Sequence, residues 1–153
     1  MARRTIADIE KIWTNVEGVK QLSDRVIGIG PFGLGLDALL TWVPVVGTVY
    51  TVATGGWLLI QGLRVRASPS TLARMAGYMA VDTATGTVPI AGDLIDTLFP
   101  GQLMAANALQ KHIASTHWVE ANEREARASG EHEQHLAAMR ANAKARRIVY
   151  LHD

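Results

Sequence analysis

Two aspartates occupy equivalent points of an internal repeat and are the acidic residues best placed to do chemistry. Asp37 and Asp82 are 45 residues apart, and each precedes a proline, Pro44 or Pro89, by seven residues. Seven residues are about two helical turns, so each aspartate shares a helix face with its proline. Both lie in apolar segments, where a carboxylate is costly unless it is paired, hydrated or protonated.

The repeated aspartates admit two interpretations. If a pseudo-twofold axis relates the repeats, the carboxylates of Asp37 and Asp82 approach one another and share a proton or a cation. In the other interpretation, each carboxylate accepts hydrogen bonds from threonine or backbone groups and fixes its own helical hairpin. We favour the structural role, because contact between the repeats is inferred from their similarity alone.

The histidines and the absence of cysteine limit metal and covalent chemistry. His132 and His135 share a helix face and Glu131 is close, but no third strong ligand stands near them. His112 and His117 are five residues apart and point about 140° from each other on a helix. Without cysteine there is no thiolate nucleophile and no disulfide. We therefore expect no catalytic residues, no metal site and no cofactor, and a protein that is not an enzyme.

A glycine-rich segment, Gly28 to Gly33, formally matches the G-x-G-x-x-G fingerprint of dinucleotide-binding proteins. We reject that function, because no β-run precedes the segment and Pro31 is poorly suited to a phosphate-binding loop. The fingerprint also needs an acidic residue about 20 positions further on to bind the ribose of the dinucleotide. Here the first acid after Asp37 is Asp82, which is too far along the chain. The glycines instead predict a flexible entry into the first apolar segment.

The charges are segregated along the chain. Residues 26–63 carry one charge, Asp37, and residues 75–110 carry three, all acidic, so these 74 positions hold 4 of the 29 charges. Every Lys and Arg lies outside them. The net charge of +1 gives no electrostatic field that would favour binding to nucleic acid. This segregation is typical of segments that leave water.

Two Pro-x-x-Gly motifs lie at the centre of the repeat. Pro44 and Gly47 recur as Pro89 and Gly92, and apolar residues approach and leave each motif. Because proline ends a helix and glycine permits a reversal of the backbone, each unit is predicted to be a helical hairpin with its turn at these residues.

The arms of the two hairpins are just long enough to enter a bilayer. They cover roughly residues 34–43, 47–63, 71–87 and 92–110, and the first arm reaches 18 residues if the glycine-rich entry from Val26 is included. Crossing a bilayer core needs about 20 residues, so the arms either span the membrane or form re-entrant hairpins that stop partway. Both options put the flanking segments on one side, and the 15 basic residues in those segments mark that side as the cytoplasm.

Small residues recur at every fourth position of the arms. The stripes are Gly47, Thr51 and Gly55; Ala76, Ala80 and Ala84; and Thr97, Gly101 and Ala105. In lipid, such stripes let helix backbones approach closely, so we expect Gly55 to face another helix and Leu58 to face outward. The competing interpretation is a water-soluble Ala- and Gly-rich bundle hidden in a complex.

The two ends of the chain have their own patterns. Residues 5–22 predict an amphipathic helix with a capping box from Thr5 to Asp8. This helix either packs on the rest of the protein or lies in the membrane interface with Trp13 as an anchor. Beyond residue 113 the composition predicts a charged, solvated helix that breaks at Gly130.

Several motifs resemble one bacterial family, the domain of unknown function 4112. They are Leu34-Gly35-Leu36-Asp37-Ala38-Leu39-Leu40, the two Pro-x-x-Gly motifs, Leu72-Ala73-Arg74-Met75 and Gly92-Asp93-Leu94-Ile95-Asp96. The resemblance covers roughly residues 22–113 and implies a small helical, membrane-associated protein without an established activity. Thr48 and residues 99–102 depart from the usual family pattern, so no site is carried over to those positions.

These patterns predict an all-α protein in three segments. Residues 1–25 form the amphipathic helix, residues 26–113 form two repeated hairpins in or on the membrane, and residues 114–153 form a charged helical arm. We expect a small integral membrane protein of structural or accessory-subunit type in the bacterial inner membrane, with both termini cytoplasmic. Its expected partners are the lipid bilayer and other membrane subunits or further copies of itself, and no nucleic acid. The alternative is a proton or cation conduit built on Asp37 and Asp82.

Overall fold

The computed structural model describes residues 4–28, 44–85 and 101–152. Their helices and strands are, in chain order, α1 (Ile6–Gly28), α2 (Pro44–Arg64), α3 (Pro69–Thr85), α4 (Gly101–Ala114), β1 (Thr116–Val119), α5 (Glu123–Ser129), α6 (Glu131–Ala141) and β2 (Arg147–Tyr150). The described residues are mostly helical, as the sequence predicts.

The chain divides into two compact units. One, here called the terminal unit, comprises Met1–Thr14 and Gln110–Asp153, and the other, the central unit, comprises Asn15–Leu109. Both boundaries between the units fall inside a helix, α1 or α4. This division therefore differs from the predicted segments, whose limits lie at residues 25 and 113.

In the terminal unit, α1 begins with a reciprocal cap between Thr5 and Asp8. The backbone N–H of Thr5 donates to Asp8 Oδ2 at 2.9 Å, and the backbone N–H of Asp8 donates to Thr5 Oγ1 at 3.3 Å. These bonds satisfy donors that a helix start leaves without partners, and they confirm the predicted capping box. The Asp8 carboxylate accepts hydrogen bonds from both the N–H and the hydroxyl of Thr5, and these bonds hold the pKa of Asp8 below its usual value.

The C-terminal arm contains a small parallel sheet, which corrects the predicted single helix. β1 pairs with β2 in a register that sets Thr116 opposite Arg147 and Val119 opposite Tyr150. Helices α5 and α6 connect the two strands, and Val119, Ala126 and Tyr150 form a buried cluster. Because β2 contains Ile, Val and Tyr, its residues suit a half-buried strand better than a solvated helix.

The helix break predicted within this arm is confirmed. Gly130, at φ 81°, ends α5 and precedes α6, as expected for the residue predicted to break the helix. Arg127 and Glu123 form an ion pair at 2.6 Å on the exposed face of α5. Asn122 caps α5, since its Oδ1 accepts hydrogen bonds from the N–H groups of Arg124 and Glu125.

In the central unit, α2 and α3 pack against each other across a four-residue connection, residues 65–68. Two backbone hydrogen bonds close the end of α2, from Val65 N–H to the Gln61 carbonyl and from Ala67 N–H to the Gly62 carbonyl. The Ser68 hydroxyl accepts from the Thr71 N–H at 3.3 Å, and α3 starts at the residue after Ser68.

The first Pro-x-x-Gly motif is helical, which corrects its prediction as a turn. α2 begins at Pro44 and contains Gly47. Proline is favoured at the first position of a helix, because its fixed φ suits the helix and its missing N–H would have no intrahelical partner there. The second motif, Pro89 and Gly92, lies outside the described residues, as does the arm predicted at 34–43.

The predicted membrane-spanning arms gain no support from the described ranges. None of the helices there combines the length and the apolar character that crossing a membrane requires.

Candidate functional site

Close contact between α2 and α3 depends on glycine residues of α2. A β-carbon placed on Gly55 would lie 3.1 Å from Met79 Sδ, and one on Gly62 would lie 2.9 Å from Leu72 Cδ2. Larger side chains at these positions would therefore push the helices apart. The side chains of Leu58 and Met75 are fully buried in this unit. The structure thus buries Leu58, which the sequence analysis places on the outward face.

The same two helices expose large apolar side chains. Val52, Ile60 and Leu63 on α2 are 62%, 51% and 62% exposed, and Val81 on α3 is 56% exposed. We call these four residues the apolar face. The sequence of α2 carries one charge, Arg64, at its last residue. Large apolar groups exposed on a helix this poor in charge are candidates for contact with another apolar surface.

Asp82, one of the two repeated aspartates, is partly exposed and lies in the last turn of α3. Its Oδ1 accepts a hydrogen bond from the backbone N–H of Gly101, the first residue of α4, at 3.1 Å. A carboxylate there satisfies an N–H that has no intrahelical partner and complements the positive end of the helix. The described contact of Asp82 is therefore a cap between α3 and α4.

Gly101 permits this cap by its lack of a side chain. A β-carbon there would lie 2.4 Å from the carbonyl oxygen of Tyr78 and 2.6 Å from Asp82 Cβ. Both distances are far below van der Waals contact, so α4 starts this close to α3 because residue 101 is glycine.

The remaining predicted site residues fall into two groups. Asp37, Pro89 and Gly92 lie outside the described residues, so proximity of Asp37 to Asp82 stays a prediction. Of the small residues, Thr51 lies in α2, and Ala76, Ala80 and Ala84 are exposed on α3.

The terminal unit contains an imidazole cluster that the sequence analysis does not predict. His132 Nδ1 and the Tyr150 hydroxyl are 2.8 Å apart, and the His132 and His135 rings each lie 6.0 Å from the Tyr150 ring. The His117 ring is 6.3 Å from that of His135. The i,i+3 spacing of His132 and His135 places them on one face of α6, but nothing local reveals that β1 and β2 bring His117 and Tyr150 to that face.

Across the described parts of the chain, no group of three or more histidine, aspartate or glutamate side chains is placed to hold a metal ion. Tyr150 is buried, and its hydroxyl lies within hydrogen-bond distance of His132 in α6. The arrangement therefore attaches α6 to β2.

His112 is a separate, buried histidine near the end of α4. Burial, together with the positive charge of Arg147, lowers the pKa of His112 from 6.5 to about 4. Its backbone carbonyl accepts hydrogen bonds from the Ser115 and Thr116 hydroxyls, at 3.1 and 2.7 Å. The His112 side chain is therefore neutral at pH 7 and acts as part of the interior.

These observations define a class of small, mostly helical proteins with an apolar face. No catalytic group is evident among the described residues. The family described as Domain of unknown function (DUF4112) matches residues 12–113, two thirds of the chain, and the chain belongs to this family. No curated protein matches the sequence. No solved structure matches it either.

Proposed function

We propose that this chain is a small integral membrane protein of structural or accessory-subunit type, whose central unit contacts lipid through α2 and α3. The observation that carries the proposal is the apolar face, because four large aliphatic side chains are exposed there on a helix pair that includes the nearly uncharged α2. In water each such side chain costs about 1–3 kcal/mol relative to burial, and lipid removes that cost.

The proposal takes a re-entrant form. The connection between α2 and α3, residues 65–68, lies at the membrane surface, and both helices extend from it partway into one leaflet. Arg64, Arg66 and Arg74 lie around the α2–α3 connection, where they would meet anionic headgroups. The basic flanking segments then lie on the cytoplasmic side of the bacterial inner membrane, together with both termini.

The contacts of the described residues support a structural or accessory role. The contact made by Asp82 is a helix cap, and the imidazole cluster joins two elements of the terminal unit. Further copies of the chain, or other membrane subunits, are the partners that would use an apolar face in lipid. The alternative role, a proton or cation conduit at Asp37 and Asp82, is less favoured because the Asp82 carboxylate accepts a backbone hydrogen bond.

Membrane fractionation followed by an alkaline carbonate wash tests the proposal. The untagged chain should stay in the membrane pellet. The double variant Val52→Lys, Val81→Lys should move to the washed supernatant, since both positions are far from the α2–α3 connection and both charges would have to enter hydrocarbon. Ala138→Lys, an exposed change on α6, is the matched control and should stay in the pellet. Recovery of the unaltered chain in the soluble fraction, folded without detergent, would refute the proposal.

A further inference from the structure

The terminal unit contains an apolar groove that the proposed function does not use. It lies between the start of α1, the end of α4 and β1, and it encloses about 460 Å³. Ile9 and Ile113 are buried and form its floor, while Ile6, Trp13 and Trp118 line its sides. A volume of this size is within the range of small-molecule sites, which is roughly 300–1,000 Å³.

Two indole rings give the groove its particular character. Trp13 is 40% exposed, which is unusual for so large an apolar side chain. The Trp118 Nε1–H donates to the carbonyl oxygen of Ile113 at 3.3 Å, so the polar edge of this ring is already used within the protein. Both rings line the groove, and indole rings bind ligands through their apolar, electron-rich faces.

Glu10 is the charged side chain that lines the groove. It lies one helical turn from both Ile6 and Trp13, so the three residues share a face of α1. Within residues 4–28, 44–85 and 101–152, the structure shows no ion pair for the Glu10 carboxylate. A second carboxylate is close, because Glu120 Oε1 accepts a hydrogen bond from the Ile6 backbone N–H. The groove thus combines aromatic rings with negative charge.

We propose that this groove binds an organic cation with an apolar body, such as an aryl- or alkylammonium group. Indole rings attract ammonium groups through their negative faces, and a nearby carboxylate adds charge attraction. The apolar part of the ligand would cover Ile9 and Ile113. The site is independent of the apolar face of the central unit.

A membrane surface would also use exposed tryptophan, but it fits this groove less well. Helices that lie on bilayers carry Lys or Arg beside their apolar stripe, to meet anionic headgroups. Here the residue beside the stripe is Glu10, and Lys11 is one position further and about 100° around the helix.

Titration of the full chain with benzyltrimethylammonium chloride tests the proposal. The Nε1–H resonances of Trp13 and Trp118, in ¹⁵N-labelled protein, report binding at the groove. Benzyl alcohol and 3-phenylpropionate serve as neutral and anionic ligands with the same ring. We expect the cation to bind at least about fivefold more tightly than the alcohol, and the anion to bind most weakly.

Two variants separate the contribution of the Glu10 carboxylate to binding from that of the Trp13 ring. Glu10→Gln and Trp13→Leu should each weaken binding of the cation about threefold or more, and Glu10→Gln should leave binding of the alcohol unchanged. Glu133→Gln, an exposed change on α6, is the matched control and should alter nothing. Circular dichroism establishes that each variant is folded.

Three outcomes of the ligand titration would overturn the proposal. They are equal affinity for the cation and the alcohol, unchanged cation binding in folded Glu10→Gln, and the absence of cation binding at millimolar concentration. If the two indole resonances shift only on addition of zwitterionic vesicles, the groove is a membrane contact and the proposal is wrong.

Discussion

The carboxylate of Asp82 holds the first residue of α4, since its Oδ1 lies 3.1 Å from the backbone nitrogen of Gly101. The two residues are 19 positions apart, and the contact fixes where α4 starts relative to α3 within the central unit. Asp82 supplies the acceptor, and Gly101 supplies the space, because a β-carbon there would collide with the Tyr78 carbonyl oxygen. Asp82, an acidic residue in a segment with few charges, thus has a definite structural partner.

Replacing Asp82 should separate its structural role from an ion-binding role. Asp82→Asn keeps an oxygen acceptor and should change the free energy of unfolding by less than about 0.5 kcal/mol, whereas Asp82→Leu should cost about 1–2 kcal/mol. Thermal unfolding of the detergent-solubilised chain, followed by circular dichroism, measures both. If Asp82→Asn instead removed a pH- or cation-dependent property while the fold persisted, the conduit would be supported.

Gly101 should tolerate no side chain. Gly101→Ala places a methyl group 2.4 Å from the Tyr78 carbonyl oxygen, so we expect a loss of about 1–3 kcal/mol from displaced backbone. Gly77→Ala is the matched control on α3, because nothing lies within 4 Å of its added carbon. That change should stabilise the helix by about 0.5–1 kcal/mol. Equal effects in the same unfolding assay would contradict the close approach at Gly101.

The packing of α2 on α3 predicts a strong effect at Gly55. Gly55→Leu must displace Met79, whose Sδ would be 3.1 Å from the first added carbon, and should cost about 1–3 kcal/mol. Leu63→Ala removes an exposed side chain and should change stability by less than about 0.5 kcal/mol. Detergent-stability curves of the two variants should differ clearly, and coincident curves would count against the contact.

The histidine buried in α4 makes the terminal unit sensitive to acid. Between pH 6.5 and about 4, His112 of the unfolded chain binds a proton that the folded chain does not bind, so lowering the pH favours unfolding. Above pH 6.5 His112 carries no added proton in either state, so its contribution to the free energy of unfolding is constant. The free energy of unfolding should fall by about 1–3 kcal/mol in total as the pH is lowered, and His112→Gln should remove this dependence. An NMR titration that gave His112 a pKa near 6.5 would contradict its burial.

Local sequence signals predict the elements that depend on neighbouring residues. The capping box at Thr5 and Asp8 and the helix break at Gly130 are confirmed because each involves a few adjacent residues. β2 was missed because it has only four residues within a charged segment and is stabilised by pairing with β1, about 30 positions away.

At the candidate sites too, contacts between residues that are distant in the sequence could not be predicted. The apolar surroundings of Asp82 mark it as exceptional in the sequence. Its partner Gly101 cannot be predicted in the same way, because that contact joins two helices. The sequence pattern predicts that Leu58 faces outward, yet packing of α2 within the central unit buries it. The groove at Glu10 and Trp13 also depends on β1, which periodicity along α1 cannot reveal.

The position of Val52 relative to lipid tests the central claim most directly. Since the chain has no cysteine, Val52→Cys and the control Ala138→Cys can each carry a single nitroxide label in vesicles. The account predicts that oxygen reaches the label at residue 52 readily while a water-soluble nickel chelate is excluded, and that the chelate reaches the label at residue 138. Equal access of the chelate to both labels would contradict membrane contact by the apolar face.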